Sequence, residues 1–202
     1  MLRNSKDELK QVVGTAGVHS RVEKLFHDLI DSMPIASEMA VGAGAGITGG
    51  TGTVYETSVV KSGGIITTVI MIDLTGLSSS TTLIDIIGVG TSPAHIGQVT
   101  ADNSGTIFSA VIRCIETPAG GVTDIDLYSA TEATGVFDGG VAALTETVLH
   151  ANAGAWSAGD EKVFSAAFPS ANQYLYLANG AAGTAAAYTA GRFRIELEGY
   201  VA

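Results

Sequence analysis

From residue 53 onward the apolar side chains recur at every second position, in short runs broken by Gly, Ser, Thr, Asn and Pro. That period commits the chain to half-buried strands joined by turns. The clearest run is 191–201, where Phe193, Ile195 and Leu197 point one way and Arg192, Arg194, Glu196 and Glu198 the other. In "TIFSAVIRCIE", Phe108, Ala110, Ile112 and Cys114 share a face. The stretch 64–74 is apolar on both sides apart from threonines, which predicts a central strand. Strands are predicted over 53–60, 64–75, 82–89, 95–100, 106–116, 122–128, 141–149, 161–166, 172–178 and 191–201. With no strand–helix–strand alternation among them, the expectation is a mainly β protein, an antiparallel β-sandwich of jelly-roll-like form. A doubly wound sheet is excluded.

The first 38 residues follow a different period. Ser5 and Glu8, then Ser20 and Glu23, have the spacing of capping boxes. Around and beyond the second box, Val18, Val22, Leu25, Phe26, Leu29 and Ile30 form one apolar stripe at helical spacing, and Pro34 closes the segment. The expected organisation is a helical N-terminal arm over 1–38, a glycine-rich hinge over 39–52 and a β-sandwich body over 53–202.

The glycine run contains Gly44-Ala45-Gly46-Ile47-Thr48-Gly49, the G-x-G-x-x-G spacing of a dinucleotide-binding turn. Such a turn must follow a strand and open a helix, whose free N–H groups hold the pyrophosphate. Here it follows a helical segment and precedes "TVYETSVV", and no lysine occurs between Lys24 and Lys61. The motif therefore reads as a linker.

Charge narrows the partners. The 202 residues carry a net charge of −10, and 15% of them are charged, against about 25% in an ordinary domain. Residues 39–202 contain five basic and fourteen acidic side chains. So few cations cannot neutralise phosphates, which argues against nucleic acid and anionic membranes as partners. Cys114 is alone, so no intrachain disulfide forms. The opening "MLRNSKDELK" lacks the apolar core of a secretory signal, and "GGIITTVIMIDLTG" is too short and too polar to span a bilayer. The expectation is a soluble chain made in a cytoplasm.

Catalysis needs converging groups, and few are on offer. His19 and His27 lie eight apart, too far for a metal pair on one helical turn, and His95 and His150 carry no ligand spacing. Cys114 falls mid-strand on an apolar face, the setting of an inert thiol. Asp124 and Asp126 share a strand face that reads as solvated, since no calcium-loop spacing surrounds them. Asp85 shares a face with Leu83 and Ile87, so it needs a rim, a polar partner or a subunit boundary. Trp156, Tyr174, Tyr176, Tyr188 and Tyr200 could build a sugar platform, with Tyr174 and Tyr176 on one face of "NQYLYLAN", although packing explains them without a ligand. No catalytic residue, metal site or cofactor site is assigned.

The last hairpin, "NQYLYLANGAAGTAAAYTAGRFRIELEGYVA", joins a Tyr/Leu strand through a Gly/Ala/Thr loop to "YTAGRFRIELEGY". In this, and in its run of short strands over residues 50–202, the chain resembles the small β-sandwich capsid decoration (cement) and virion structural proteins of tailed bacteriophages. The resemblance implies a jelly roll with no enzymatic activity. It also implies a homo-oligomer, trimeric by preference, that bridges major capsid protein subunits in the virion and stabilises the shell. On that reading Val22, Leu25, Phe26, Leu29 and Ile30 of the arm form the candidate interface. The alternative is a carbohydrate-binding β-sandwich module with glycan contacts at Trp156, Tyr174 and Tyr176, which requires these rings to be exposed together. An esterase or lyase on a β scaffold ranks below both, for want of triad spacing.

Overall fold

The computed structural model describes residues 41–164 and 167–201 together with Lys24. The chain divides into two compact units, Met1–Met39 and Ala40–Ala202. The arm residues Val22, Leu25, Phe26, Leu29 and Ile30 lie outside the described residues. The second unit is mainly β and pairs its strands antiparallel, in keeping with a β-sandwich.

A five-stranded sheet has the order β1-β2-β11-β5-β8. Its members are β1 (Tyr55–Ser62), β2 (Ile65–Asp73), β5 (Thr106–Ala119), β8 (Glu161–Val163) and β11 (Ala190–Tyr200). A four-stranded sheet runs β4-β9-β6-β7, from β4 (Gly97–Gln98), β6 (Ile125–Ala130), β7 (Glu146–His150) and β9 (Tyr174–Asn179). β3 (Ser78–Ser79) and β10 (Ala186–Ala187) make a small third ladder.

The inner face of the five-stranded sheet follows from the alternation of period two. Ile66, Ile70 and Ile72 on β2, Phe193, Ile195 and Leu197 on β11, and Ala110, Ile112 and Cys114 on β5 are all buried. Phe108 departs from this pattern and is exposed. A register shift between Glu198 and Gly199 of β11 leaves Phe108 unpaired in the opposing strand, and an extra residue of this kind breaks the alternation.

The four-stranded sheet is covered on both faces, since every residue of β6 is buried. One cover comes from residues near 135. Tyr176 Oη donates to the Glu132 carbonyl at 2.7 Å, and a Cβ on Gly135 would come within 2.8 Å of the Tyr176 ring and 2.7 Å of Ile86 Cδ1. Of the predicted strands 82–89 and 95–100, the second is found as the short β4, and the first forms no strand but continues the same interrupted edge against β9. Ile84, Ile87, Ile96 and Val99 donate in turn to Asn179, Leu177, Leu175 and Gln173. Ile84 adopts a φ of 60°, which breaks the extended run and rotates Asp85 out of the expected alternation.

The glycine run is not a hinge over its described part, 41–52. Ala45–Thr48 forms a helical turn, α1, with Gly46 and Ile47 buried. Its backbone is held by Gly44 N–H to the His95 carbonyl at 2.9 Å, Gly46 N–H to Pro93 at 2.7 Å and Val89 N–H to Gly46 at 2.8 Å. Glycine is required here for close approach, because a Cβ on Gly46 would stand 2.5 Å from the Ser92 carbonyl oxygen and 2.9 Å from Ala94 Cβ. The same construction at Gly42 meets nothing within 4 Å. Gly46→Ala is therefore expected to lower the urea midpoint by the equivalent of about 1–3 kcal/mol, with Gly42→Ala close to wild type. Equal midpoints for the two variants would restore the hinge.

Candidate interaction face

The outward side of the five-stranded sheet is the surface most unlike an ordinary solvated one. Registers place Val60 beside Thr67, Ile65 beside Tyr200, and Val111 beside Val163. Among the described residues, ten large apolar side chains are exposed, and six of them belong to this side: Val54, Val60, Ile65, Ile115, Val163 and Tyr200. Val163 is 60% exposed and Val60 50%. They share one side of the sheet, from the edge strand β1 to the edge strand β8, with Arg113, Arg194, Glu196 and Glu198 between them.

The charges on this side are organised. Arg113 Nε donates to Glu161 at 2.6 Å and its Nη1 to Glu196 at 3.3 Å, while Arg194 pairs with the same Glu196. Arg192 donates to Asp73 at 2.7 Å, beside a depression of about 230 Å³ lined by Val54, Glu56, Met71, Ile72, Asp73 and Arg192. The Thr75 hydroxyl and N–H, with the Arg192 guanidinium, hold the Asp73 carboxyl below its ordinary value against the opposing effect of burial.

A wider asymmetry emerges from the topology. The five basic residues of 39–202 are Lys61, Arg113, Lys162, Arg192 and Arg194, and all of them lie on strands of this one sheet. The rest of that unit carries eight acidic side chains and no Lys or Arg. The signal was present in the sequence as cations confined to a few predicted strands. It had no meaning until those strands were known to be neighbours.

The glycan platform is contradicted. Trp156 is 1% exposed, with its ring edge-on to Phe193 at 5.3 Å and its Nε1–H donating to the Ile125 carbonyl at 2.8 Å. Tyr176 is fully buried, and Tyr174 is tilted against His95 at 4.9 Å. Tyr174 and Tyr176 do share a strand face, but on it Tyr176 is buried and Tyr174 half-buried. Tyr188 is buried as well, its hydroxyl donating to the Val122 carbonyl at 2.6 Å.

The expected solvated face at Asp124 and Asp126 is also corrected. Asp126 is buried and accepts the Asn152 N–H at 2.7 Å, so it fixes the loop after β7. Burial pushes both carboxyls up, and the Asp124 charge adds to the shift on Asp126. Asp124 is the one titratable side chain lining a cleft of about 370 Å³ among Gly120–Asp124 and Ala181–Thr184. Asp85 finds the polar partner its burial requires, accepting from the Ser80 hydroxyl at 2.7 Å. Cys114 is buried and donates weakly to the Glu116 carbonyl; burial, with Asp160 nearby, pushes its thiol up to about 11. Among the described residues no three His, Cys, Asp or Glu side chains converge to hold a metal ion, and no helix is long and apolar enough to cross a membrane.

His150 is 7% exposed, and neither ring nitrogen has a hydrogen-bond partner. Burial, reinforced by Lys162, holds its imidazole below the ordinary 6.5, and burial does the same to His95. In the folded state both rings take up a proton only at lower pH than in the unfolded chain, where they do so near pH 6.5. Their contribution is thus whole above that value and is lost as pH falls below it. The urea midpoint is expected to drop between about pH 7.5 and about pH 5.5, and the drop should shrink in His150→Leu. A midpoint that rises over this interval would contradict the buried neutral rings. In the same samples Trp156 emission should be blue-shifted and indifferent to added soluble glycans; quenching by a glycan would revive the platform.

Searches of protein-family models, of curated proteins and of solved structures each return no match to this chain.

Proposed function

We propose that this chain is a non-enzymatic structural component that works by protein–protein contact. Its specific role is that of a capsid decoration protein of jelly-roll-like organisation in the virion of a tailed bacteriophage. The observation that carries the reading is the gathering of exposed apolar side chains, with paired charges, on the outward side of the five-stranded sheet. A patch of that kind on a chain with few charges suits contact with protein. The resemblance of residues 50–202 to small virion β-sandwich proteins supplies the identity of the shell as partner.

In this role the apolar stripe of the arm, Val22, Leu25, Phe26, Leu29 and Ile30, seats the chain on major capsid protein subunits. Contacts across subunit joints raise the barrier to rupture, and many copies acting together multiply a modest individual affinity. The acidic surplus of the body keeps it off packaged nucleic acid, since phosphates attract cations and repel carboxylates. With Trp156 and Tyr176 buried, no observation favours the carbohydrate-binding alternative.

Particle occupancy tests the reading. The chain is expected on the outside of purified virions in many copies, and Phe26→Asp is expected to reduce its occupancy by about tenfold or more, the loss of one central apolar contact. Equal occupancy of the variant removes the arm as the anchor. Absence of the chain from virions overturns the whole reading.

A further inference from the structure

We propose that the outward side of the five-stranded sheet is where two copies of this chain meet, face to face, about a two-fold axis. The inference rests on the reading above only in taking this side as a protein-contact surface; it goes further by naming the occupant.

Three observations select a second copy. The first is size. Five strands at about 4.8 Å spacing and a central strand of eleven residues at about 3.4 Å each give a face about 24 Å by about 37 Å. This narrows toward the three-residue β8 and is of the order of the ~800 Å² per partner that a stable pair uses. The second is composition. The exposed side chains Val60, Ile65, Val163 and Tyr200 and the half-buried Val69 and Val111 supply apolar area around the charged outward residues of the central strand, Arg194, Glu196 and Glu198. All three arginines of the face, Arg113, Arg192 and Arg194, already hold carboxylates of their own chain. Covering them therefore leaves no unpaired cation, the usual penalty for closing a charged face.

The third is the placement of charge. Off this sheet the described unit carries eight acidic side chains and no Lys or Arg, so a contact made there between two copies has no cation to offset the carboxylates it meets. Meeting through the sheet puts both anionic regions on the far sides of the pair. Some repulsion persists, because Glu56, Glu116 and Glu198 on the sheet make no ion pair among the described residues. Screening by salt should therefore tighten the pair, the reverse of an association held by opposite charges. An isologous contact also closes on itself, which separates it from the trimer that the resemblance implies.

The test is sedimentation equilibrium of the purified full chain across a range of concentrations, at low and at high salt. The expected result is a mass of two chains, with the dissociation constant falling as salt rises. Val60→Glu and Val163→Glu, each at a site exposed enough to leave folding intact, should each weaken the pair by about tenfold or more. Leu83→Glu, an exposed apolar residue off the sheet, should leave it unchanged. Far-UV circular dichroism verifies that each variant is folded. A monomer at every concentration overturns the proposal, as does a mass of three chains. So does a pair that survives both valine variants, or one abolished by Leu83→Glu or by Phe26→Asp. Since only purified chain is used, the pair can stand where virions lack the protein, and virion occupancy can stand where the pair fails.

Discussion

The structure depends on one strand held between two others. β11 pairs with β2 along residues 192–200 and with β5 over nearly the same length, so almost every backbone group of its eleven residues is satisfied within the sheet. Its side chains then divide by parity. Phe193, Ile195 and Leu197 enter the core at 0–1% exposure, each contributing about 1.5–3 kcal/mol by burial. Arg192, Arg194, Glu196 and Glu198 emerge on the other side, where they order the outward face. A shift of one residue would exchange these sets and bury four charges, so the register is fixed by the same alternation that makes the face.

That alternation makes β11 and the inner residues Ala110, Ile112 and Cys114 of β5 legible in the sequence, while Phe108, expected on the same face, is exposed at the register shift. Strands of the second sheet were harder. A strand buried on both faces shows no period, and β6 is one, so Asp126 read as solvated when it is covered by the loop after β7 and bonded to Asn152. Residues 82–100 keep only the short β4 of their two expected strands, for another reason. Their apolar content is that of a strand, yet the positive φ at Ile84 and the excursion through Pro93 split them into short contacts with β9. Sequence spacing carries no record of which carbonyl a backbone N–H will find.

The glycine run shows the same limit from the opposite direction. Gly44 and Gly46 were read as freedom, since glycine permits more backbone states than any other residue. In the structure they permit proximity: the carbonyls of Ser92 and Pro93 sit where a side chain would be. Composition alone cannot separate these uses, because both demand the absence of Cβ. What distinguishes them is the partner segment, which lies more than forty residues away.

The candidate face required both kinds of information. Its residues are visible in sequence as the outward half of each alternating run, but β1, β2, β11, β5 and β8 become one surface only through pairings that span most of the unit. Once joined, they account for a feature that composition left unexplained. A chain with 15% charged residues and a net charge of −10 has placed every cation of this unit on one sheet, and most of its exposed large apolar side chains there too. Elsewhere the unit carries carboxylates with no Lys or Arg to offset them. On the proposed pairing this division has a use: off the sheet two copies would meet with no Lys or Arg to offset their carboxylates, whereas on the sheet each arginine already holds a carboxylate and apolar area remains to be covered.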